Sequence, residues 1–294
     1  MRIATVDYTA PHAAEEFARS VHATGFGILR GHPLAESGLP EVVRQEWSRF
    51  FETDRKWKYR TSGGQDGFFP SPPVRGGPGA QELGQREFFQ VLRHGTYPEE
   101  VSDSALRYFD EGRRLAATIL GWLGDSAPAE VPQGFGMPLP RTLAAGSGTT
   151  LRIQRYFPRI DENTNASLRG FAHKDLSLVT VLAAPREPGL QVRDNAGEWH
   201  DVPCDPGAFV INTGEMLEQI TAGHYRATEH RVRWPGGGGS GRSRLSMPLF
   251  VHPAGNTRLN EHHTAASFLN ERLAEMHREW MSAGRRADRR APAR

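Results

Sequence analysis

The sequence predicts a mainly β fold, an antiparallel sandwich or barrel, with helices on its flanks. The main observation is a series of short runs rich in β-branched residues that begins near residue 149 and is interrupted by turn signals such as Asp205-Pro206-Gly207. A second observation is the helical spacing of apolar residues in the first third, and a third is another helical stretch near the end. Helices before and after a run of strands indicate a β core wrapped by helices.

The first 148 residues are predicted to form a mixed, largely helical region that packs on the core. Phe17, Ala18 and Val21 recur at helical intervals, which predicts a helix over 11–24 that ends at Gly25. The next elements are a short strand over 25–29, helices over 39–60 and 98–124, a loop over 63–84 and a strand over 87–92. The loop is rich in glycine and proline, and loops of this length in compact domains are usually functional or mobile.

Residues 149–255 are predicted to form the β core as one continuous unit. Its strand-like runs, in chain order, cover residues 151–157, 176–184, 189–192, 198–202, 207–213, 225–234 and 244–251. The C-terminal segment 256–282 is predicted to contain a helix from residue 263 onwards. Residues 283–294 hold five arginines and are expected to form a disordered tail.

Composition narrows the classes of protein and of metal site. The 294 residues include one cysteine, Cys204, which excludes an internal disulfide and any metal site built from several thiolates. The formal net charge is +2, and no basic stripe interleaved with aromatics occurs, so nucleic acid is not expected as a partner. No apolar stretch is long enough to span a membrane and the start does not resemble a signal peptide, so we expect a soluble, cytoplasmic protein. The sequence indicates no oligomeric state.

Three residues could bind one metal ion: His173, Asp175 and His230. In the run FAHKDLSLVTVL, His173 and Asp175 are two positions apart, and side chains at i and i+2 of a strand lie on the same face. His230 follows Asp175 by 55 residues in another strand-like run, and three or four intervening strands would return it beside the pair. Two imidazoles and one carboxylate on one face of an octahedron suit non-haem Fe(II). The pair alone is weak evidence, because 12 histidines and 34 acidic residues produce such pairs by chance.

The segments around these residues resemble a known family. HKDLSLVTVL is followed in order by GLQV, GEWHDV, PGAFVINTGEMLEQITAGHYRATEHRV and RSRLSMPLFV. In their order along the chain and in their residues, these motifs resemble the isopenicillin N synthase-like family of Fe(II)- and 2-oxoglutarate-dependent oxygenases. The similarity is strong over residues 149–252 and fainter in GFGILRGHPL, FFETDRKWKY and REFFQV. One departure is the insertion GGGGSG at 236–241, which is typical of a flexible hairpin tip.

The resemblance implies a double-stranded β-helix, or jelly-roll, with Fe(II) at its open end, and 2-oxoglutarate and dioxygen as co-substrates. It also implies that Arg244 and Ser246 clamp the distal carboxylate of 2-oxoglutarate. Positions 244 and 246 share one strand face, and a guanidinium binds a carboxylate bidentately. Tyr156 is a further expected co-substrate contact. Family members usually end this strand with Tyr-Pro, whereas Phe157 intervenes here, so either aromatic could be the inward one.

The resemblance implies oxidation of a C–H bond of a small molecule, with hydroxylation as the default and desaturation, epoxidation or cyclisation from the same chemistry. A role in specialised-metabolite biosynthesis is the associated expectation, because 33 arginines against three lysines indicate a GC-rich genome. Strand phase and the family's pocket architecture suggest as substrate contacts Arg86, Phe88, Gln154, Thr180 and Leu182, with Phe68 and Gln90 as further candidates. An inward Arg86 would favour an anionic or carboxylate-bearing substrate.

Three other functions remain open. An enzyme of the same fold can dispense with 2-oxoglutarate, as isopenicillin N synthase does, and would then oxidise its substrate without forming succinate. A catalytically inactive small-molecule-binding protein would keep the fold without turnover. The three metal-ligand residues alone could also hold zinc in a hydrolase.

Overall fold

The chain folds into two β-sheets that face each other across an interior space, with helices packed on the outer face of the larger sheet. The computed structural model describes residues 1–61, 63–71, 86–132, 136–143, 148–158, 168–234 and 243–288. Within these ranges the strands are β1 (Thr5–Asp7), β2 (Phe26–Arg30), β3 (Gly67–Phe69), β4 (Arg86–Val91), β5 (Thr150–Tyr156), β6 (Leu168–His173), β7 (Val179–Ala183), β8 (Leu190–Arg193), β9 (Trp199–Asp201), β10 (Phe209–Thr213), β11 (His230–Arg233), β12 (Arg244–Ser246) and β13 (Pro248–Val251).

The helices of the described residues are α1 (Ala13–Thr24), α2 (Pro33–Glu36), α3 (Leu39–Glu52), α4 (Ser104–Ser126), α5 (Glu215–Ile220) and α6 (Ala265–Asp288), with 3-10 turns at Asp54–Tyr59 and Leu139–Leu143. None of these helices is both long and apolar enough to cross a membrane.

The larger sheet has the strand order β1-β2-β10-β7-β13-β5-β4-β3, with β12 also paired to β5, and the smaller sheet has the order β6-β11-β8-β9. Among the described strands every pairing is antiparallel except that of β1 with β2. The strand predicted over 225–234 is shorter than expected and covers only His230–Arg233.

Alternation along β5 divides the protein into two apolar cores. Leu151 and Ile153 point to the outer face of the larger sheet and join the main core beneath α1, α3 and α4, whereas the even-numbered residues face the interior between the sheets. A smaller cluster between the sheets includes Phe26, Val192 and Val210. The inner face of the larger sheet, which faces the smaller sheet, is therefore apolar only in part. The rest of that face carries polar side chains that could form a functional site.

The predicted helices form, with changed ends. α1 ends as expected at Gly25, which adopts φ 73° and donates its N–H to the carbonyl of Val21. The helix predicted over 39–60 breaks at Thr53, whose extended backbone separates α3 from the following 3-10 turn. α4 begins six residues later than predicted, at Ser104. α6 continues to Asp288, six residues beyond the expected end.

Three sequence predictions fall partly or wholly on residues outside the described ranges. These are the glycine-rich insertion at 236–241, residues 72–84 of the predicted loop and the last six residues of the tail. The first part of that loop contains β3, which was not predicted, because Gly67–Phe69 is only three residues long. β3 pairs with β4, the next strand along the chain.

Candidate metal centre

The three predicted metal ligands converge at one end of the space between the sheets. His173 ends β6 and His230 begins β11, and these two residues pair directly across the smaller sheet. Nε2 of His173 lies 3.6 Å from Oδ1 of Asp175, and Nε2 of His230 lies 3.7 Å from the same oxygen. In the part of the chain that the structure describes, this is the one group of three or more His, Cys, Asp or Glu residues whose ligand atoms all lie within 4.8 Å of one another.

His173 and Asp175 do not share a strand, which differs from the predicted arrangement. β6 ends at His173, and Asp175 lies in the segment that crosses from the smaller sheet to β7 of the larger one. This segment is held against α5, since the backbone N–H of Glu215 donates to the carbonyl of Asp175 at 2.7 Å. Gly214 permits the approach, because a Cβ there would clash with the carbonyl oxygen of Ser177. The side chains therefore converge through a crossing between sheets.

Backbone carbonyls orient both imidazoles. Nδ1 of His173 lies 2.8 Å from the carbonyl oxygen of Phe171, and Nδ1 of His230 lies 3.2 Å from that of Thr228. A carbonyl only accepts, so each Nδ1 carries a proton and each Nε2 is the nitrogen that faces Asp175. Burial lowers the pKa of His230, which keeps this imidazole neutral. Burial also favours neutral His173, but the adjacent Asp175 carboxylate outweighs it and raises the pKa of His173.

The carboxylate of Asp175 is anchored through one oxygen only. Its Oδ2 accepts hydrogen bonds from Oγ1 of Thr180 at 2.6 Å and from Nδ2 of Asn212 at 2.8 Å, which leaves Oδ1 facing the imidazoles. Burial opposes ionisation, but the two histidines and the Thr180 hydrogen bond outweigh it and hold the pKa of Asp175 well below its usual range. Sequence reasoning placed Thr180 in the substrate wall and missed Asn212. The available signal was an asparagine within the apolar strand FVINT.

A second polar group lies on the inner face, where β12 runs beside β5. Arg244 pairs with Tyr156 and Ser246 with Gln154, so the four side chains form two adjacent rows. Arg244 is 6% exposed, and burial lowers its pKa. Its Nη1 has a long contact of 3.5 Å to the carbonyl of Pro188. Its Nε and the Oε1 of Gln154 are buried without a hydrogen-bond partner among the described residues. Such orphaned buried atoms suit a polar ligand.

Tyr156, rather than Phe157, is the inward aromatic of β5. Tyr156 is 3% exposed, and its hydroxyl reaches towards Gly170 of the smaller sheet, across the interior. Phe157 instead contacts the guanidinium of Arg155, whose carbon lies 5.1 Å from the ring centre, on the opposite face. This arrangement places a phenol beside the guanidinium of Arg244.

The residues predicted as substrate contacts differ in their placement. Arg86, Phe88 and Gln90 lie half-buried on the inner face of β4. Phe68 is fully buried in the main core, so Phe69, whose ring stacks on Phe88 at 4.6 Å, occupies the position expected of it. The prediction that Phe68 faces the interior is therefore wrong by one residue, because the three residues of β3 are too few to show an alternating pattern.

Leu182 and Gln154 both face the interior. Leu182 packs against the apolar cluster between the sheets. Gln154 is 7% exposed and lies between Phe88 of β4 and Ser246 of β12. Neither placement assigns a role in substrate binding.

Comparison with known proteins identifies the family. Residues 149–253 match the family model of the 2OG-Fe(II) oxygenase superfamily. A solved structure from Shewanella oneidensis, described as an oxygenase, is 37% identical and superposes with a TM-score of 0.85 over 94% of this chain and 99% of that one. The chain belongs to the 2OG-Fe(II) oxygenase superfamily. The jelly-roll prediction is thereby confirmed, although the two sheets do not close into a complete barrel within the described residues.

Curated relatives of this superfamily member match over different lengths. The 1-aminocyclopropane-1-carboxylate oxidase of Dictyostelium discoideum is 38% identical over 104 residues, which make up 34% of this chain and 27% of that protein. The gibberellin 2-beta-dioxygenase of Phaseolus coccineus is 27% identical over 269 residues, or 86% of this chain and 77% of that protein. The chain thus spans only 27% of the length of the first relative. These relatives support the family and leave the substrate open.

Proposed function

We propose that this chain is an Fe(II)- and 2-oxoglutarate-dependent dioxygenase that oxidises a C–H bond of a small molecule, by hydroxylation in the simplest case. The observation that carries the proposal is the convergence of Nε2 of His173, Nε2 of His230 and Oδ1 of Asp175 within 4.8 Å. Two neutral imidazoles and one carboxylate on one side of an ion leave neighbouring coordination positions for a chelating co-substrate and for dioxygen.

The donor set fits a resident Fe(II) ion. Both histidines are oriented so that Nε2 faces the site, His230 is held neutral and Asp175 is held ionised. His173, whose pKa is raised by Asp175, would release a proton when the metal binds. The same donors could hold zinc. The buried Arg244, whose Nε has no acceptor among the described residues, favours the oxygenase, because 2-oxoglutarate carries a second carboxylate that this guanidinium could bind.

Arg244, Ser246 and Tyr156 would hold the distal carboxylate of 2-oxoglutarate. Arg244 has a buried Nε without an acceptor in the described structure, and a carboxylate would supply one in the bidentate geometry that guanidinium favours. The hydroxyls of Ser246 and Tyr156 flank this position and can donate further hydrogen bonds. The clamp would hold 2-oxoglutarate by its distal carboxylate, in the same interior between the sheets as the three metal ligands.

Bound iron would supply the activation of dioxygen, coupled to the oxidative decarboxylation of 2-oxoglutarate to succinate and carbon dioxide. The protein contributes positioning and water exclusion. Thr180 and Asn212 keep Asp175 turned so that its Oδ1 faces the two imidazoles and would be free to bind the ion. The apolar cluster that includes Phe26 and Val192 closes the interior behind the site.

The proposal is tested by turnover of the reconstituted protein. Purified chain with Fe(II), 2-oxoglutarate and dioxygen, screened against a small-molecule collection, is expected to release succinate faster when a substrate is present. His173→Ala and His230→Ala should abolish this release, whereas His12→Ala, an exposed histidine, should leave it unchanged. Substrate oxidation without succinate would establish the oxidase that does not use 2-oxoglutarate. Metal binding without dioxygen consumption would establish a binding protein.

A further inference from the structure

Two guanidinium groups lie on the inner face beside the metal centre, apart from the Arg244 clamp. Arg86 of β4 pairs with Tyr156 of β5, and Arg152 of β5 pairs with Gln90 of β4, so both arginines share the face that carries Tyr156. Arg86 is close enough to Arg152 and to His173 for its charge to act on both. The strip formed by β4 and β5 therefore presents two positive charges near the metal ligands.

Arg152 is held rigidly by its neighbours. Its Nη2 and Nε donate to Oε1 of Gln90 at 3.0 and 3.3 Å. Its guanidinium carbon lies 4.7 Å from the ring centre of Phe88 and 5.1 Å from that of Phe250, so the group is sandwiched between two aromatic faces. Burial, followed by the charge of Arg86, lowers the pKa of Arg152 to about 10, which leaves it cationic at neutral pH. A fixed, planar cation is well suited to bind a carboxylate.

Neither inner arginine has a carboxylate partner in an ion pair within the described ranges, in contrast to the arginine on the opposite face. Arg155, also on β5, pairs with the buried Glu87 of β4, which is paired with Lys56 as well. The carboxylate of Asp175 does act on Arg152, but its oxygens are already used by hydrogen bonds and by the imidazoles. On the outer face of β4 and β5, Glu87 therefore neutralises Arg155. On the inner face of the same strands, Arg86 and Arg152 have no carboxylate ion-pair partner among the described residues.

The walls around the two arginines are aromatic. Phe69 and Phe88 are stacked at 4.6 Å with an angle of 13° between their planes, and Phe250 lies on the other side of Arg152. All three rings are half-buried, so each keeps part of its surface exposed. Phe171, two residues before His173, is 50% exposed at the same end. A ligand that reaches the arginines would therefore lie against flat apolar surfaces.

We propose that Arg86 and Arg152 form a carboxylate anchor for the substrate, and that the substrate is an organic anion with a flat, apolar body. The carboxylate would bind the two guanidinium groups, and the body would lie against Phe69, Phe88 and Phe250. This inference rests on the proposed function, because the bound anion is a substrate only if the chain is the proposed dioxygenase. It differs from the co-substrate clamp, since Arg86 and Arg244 flank Tyr156 on opposite sides.

The inference is tested with three flat carboxylates, benzoate, trans-cinnamate and 2-naphthoate, each paired with its neutral amide. Binding to the protein loaded with Fe(II) and 2-oxoglutarate is measured by anaerobic calorimetry. At least one acid is expected to bind at least about tenfold more tightly than its amide, because a charge-assisted hydrogen bond is roughly twice as strong as a neutral one. Arg86→Gln and Arg152→Gln should each remove about tenfold or more of the acid's affinity and leave the amide's unchanged. Arg49→Gln, an exposed arginine of α3, is the matched control and should change neither.

The outcomes separate this inference from the proposed function. If no acid binds, if acids and amides bind alike, or if acid binding survives both substitutions, the anchor is disproved. If Arg152→Gln fails to fold, the half-exposed Arg86→Gln decides the question by itself. The affinity for 2-oxoglutarate, measured in the same variants, should stay at the wild-type value, and a loss would assign these arginines to the co-substrate instead. If the acids bind in a manner that depends on the two arginines but the protein binds no 2-oxoglutarate, the carboxylate anchor is supported and the proposed dioxygenase function is refuted.

Discussion

Asn212 donates a hydrogen bond of 2.8 Å from its Nδ2 to Oδ2 of Asp175. Thr180 donates to the same oxygen at 2.6 Å, so both bonds lie on the side of the carboxylate that faces away from the imidazoles. Neighbours of this kind orient a metal ligand and set its basicity. The two residues come from adjacent strands, β7 and β10, where they pair directly. The rigid larger sheet thereby positions a ligand that itself lies outside any strand.

Asn212→Ala and Thr180→Val are expected to weaken Fe(II) binding, since each removes one bond that orients Asp175. Loss of such a partner typically costs about 10–100-fold in metal affinity. The measurement is an anaerobic titration with Fe(II), with thermal unfolding of the metal-free variants as a check on folding. Thr118→Val on α4, whose hydroxyl bonds only its own helix, is the control and should bind Fe(II) as the wild type does. Wild-type affinity in both site variants would show that the carboxylate is oriented by other contacts.

Arg244→Met is expected to abolish tight 2-oxoglutarate binding without destabilising the ligand-free protein. The loss should be about 100-fold or more, because hydrogen bonds to charged groups contribute about 1.5–3 kcal/mol each. Stability should hold, because the guanidinium is buried with an unpaired Nε and an apolar side chain of similar length removes that penalty. Titration of the Fe(II)-loaded protein with 2-oxoglutarate gives the affinity, and thermal unfolding gives Tm. Unchanged affinity for 2-oxoglutarate would exclude Arg244 from the clamp.

Glu87→Gln is expected to destabilise the fold strongly. The carboxylate is 4% exposed and pairs with Lys56, 3.1 Å from Oε2, and with Arg155. Removing its charge leaves two largely buried cations uncompensated, and breaking a buried pair typically costs about 3–5 kcal/mol. The free energy of unfolding in urea measures the effect. Glu99→Gln disrupts the exposed pair with Lys58 and should leave the unfolding curve in place. Equal effects of the two substitutions would contradict the structural role of Glu87.

Gly214→Ala is expected to impair metal binding through the backbone. A Cβ at this position would clash with the carbonyl oxygen of Ser177 and approach that of Asp175 to 2.9 Å, so the crossing segment must move. Fe(II) affinity and Tm should both fall. Gly121→Ala, on α4 where a Cβ has room, is the control and should raise stability by up to about 1 kcal/mol, since alanine is the better helix former. Normal Fe(II) binding in Gly214→Ala would show that the segment adapts without moving Asp175.

Much of the metal centre was predictable, because the order of the sequence motifs identifies the family and, with it, the metal ligands. The resemblance points to His173, Asp175 and His230, and their ligand atoms do converge. The shared strand face expected from the spacing of His173 and Asp175 is not what brings them together. The division of β5 into two faces was also predictable, since alternation is a local property of an extended chain. Arg86 was expected on the inner face for the same reason, and it lies there.

Other features depend on tertiary structure that a single sequence does not encode locally. Asp175 lies in a crossing between sheets, and nothing in FAHKDLSL marks where β6 ends. Strand phase predicts which face a residue occupies but not its partner, so Thr180 was expected to touch substrate while its hydroxyl binds Asp175. Asn212 and Arg152 lie far from the metal ligands in sequence. The pairing of β10 with β7, and of β5 with β7 through β13, brings them to the site.

The most direct test of the central claim is an anaerobic titration of the metal-free protein with Fe(II) and then 2-oxoglutarate, followed by visible absorption. We expect a metal-to-ligand charge-transfer band that saturates at one equivalent of each, is absent in Asp175→Ala, and is retained in His12→Ala. Absence of the band from wild-type protein with both ligands bound, or a band of full intensity in Asp175→Ala, would contradict the assignment of His173, Asp175 and His230 as the iron site.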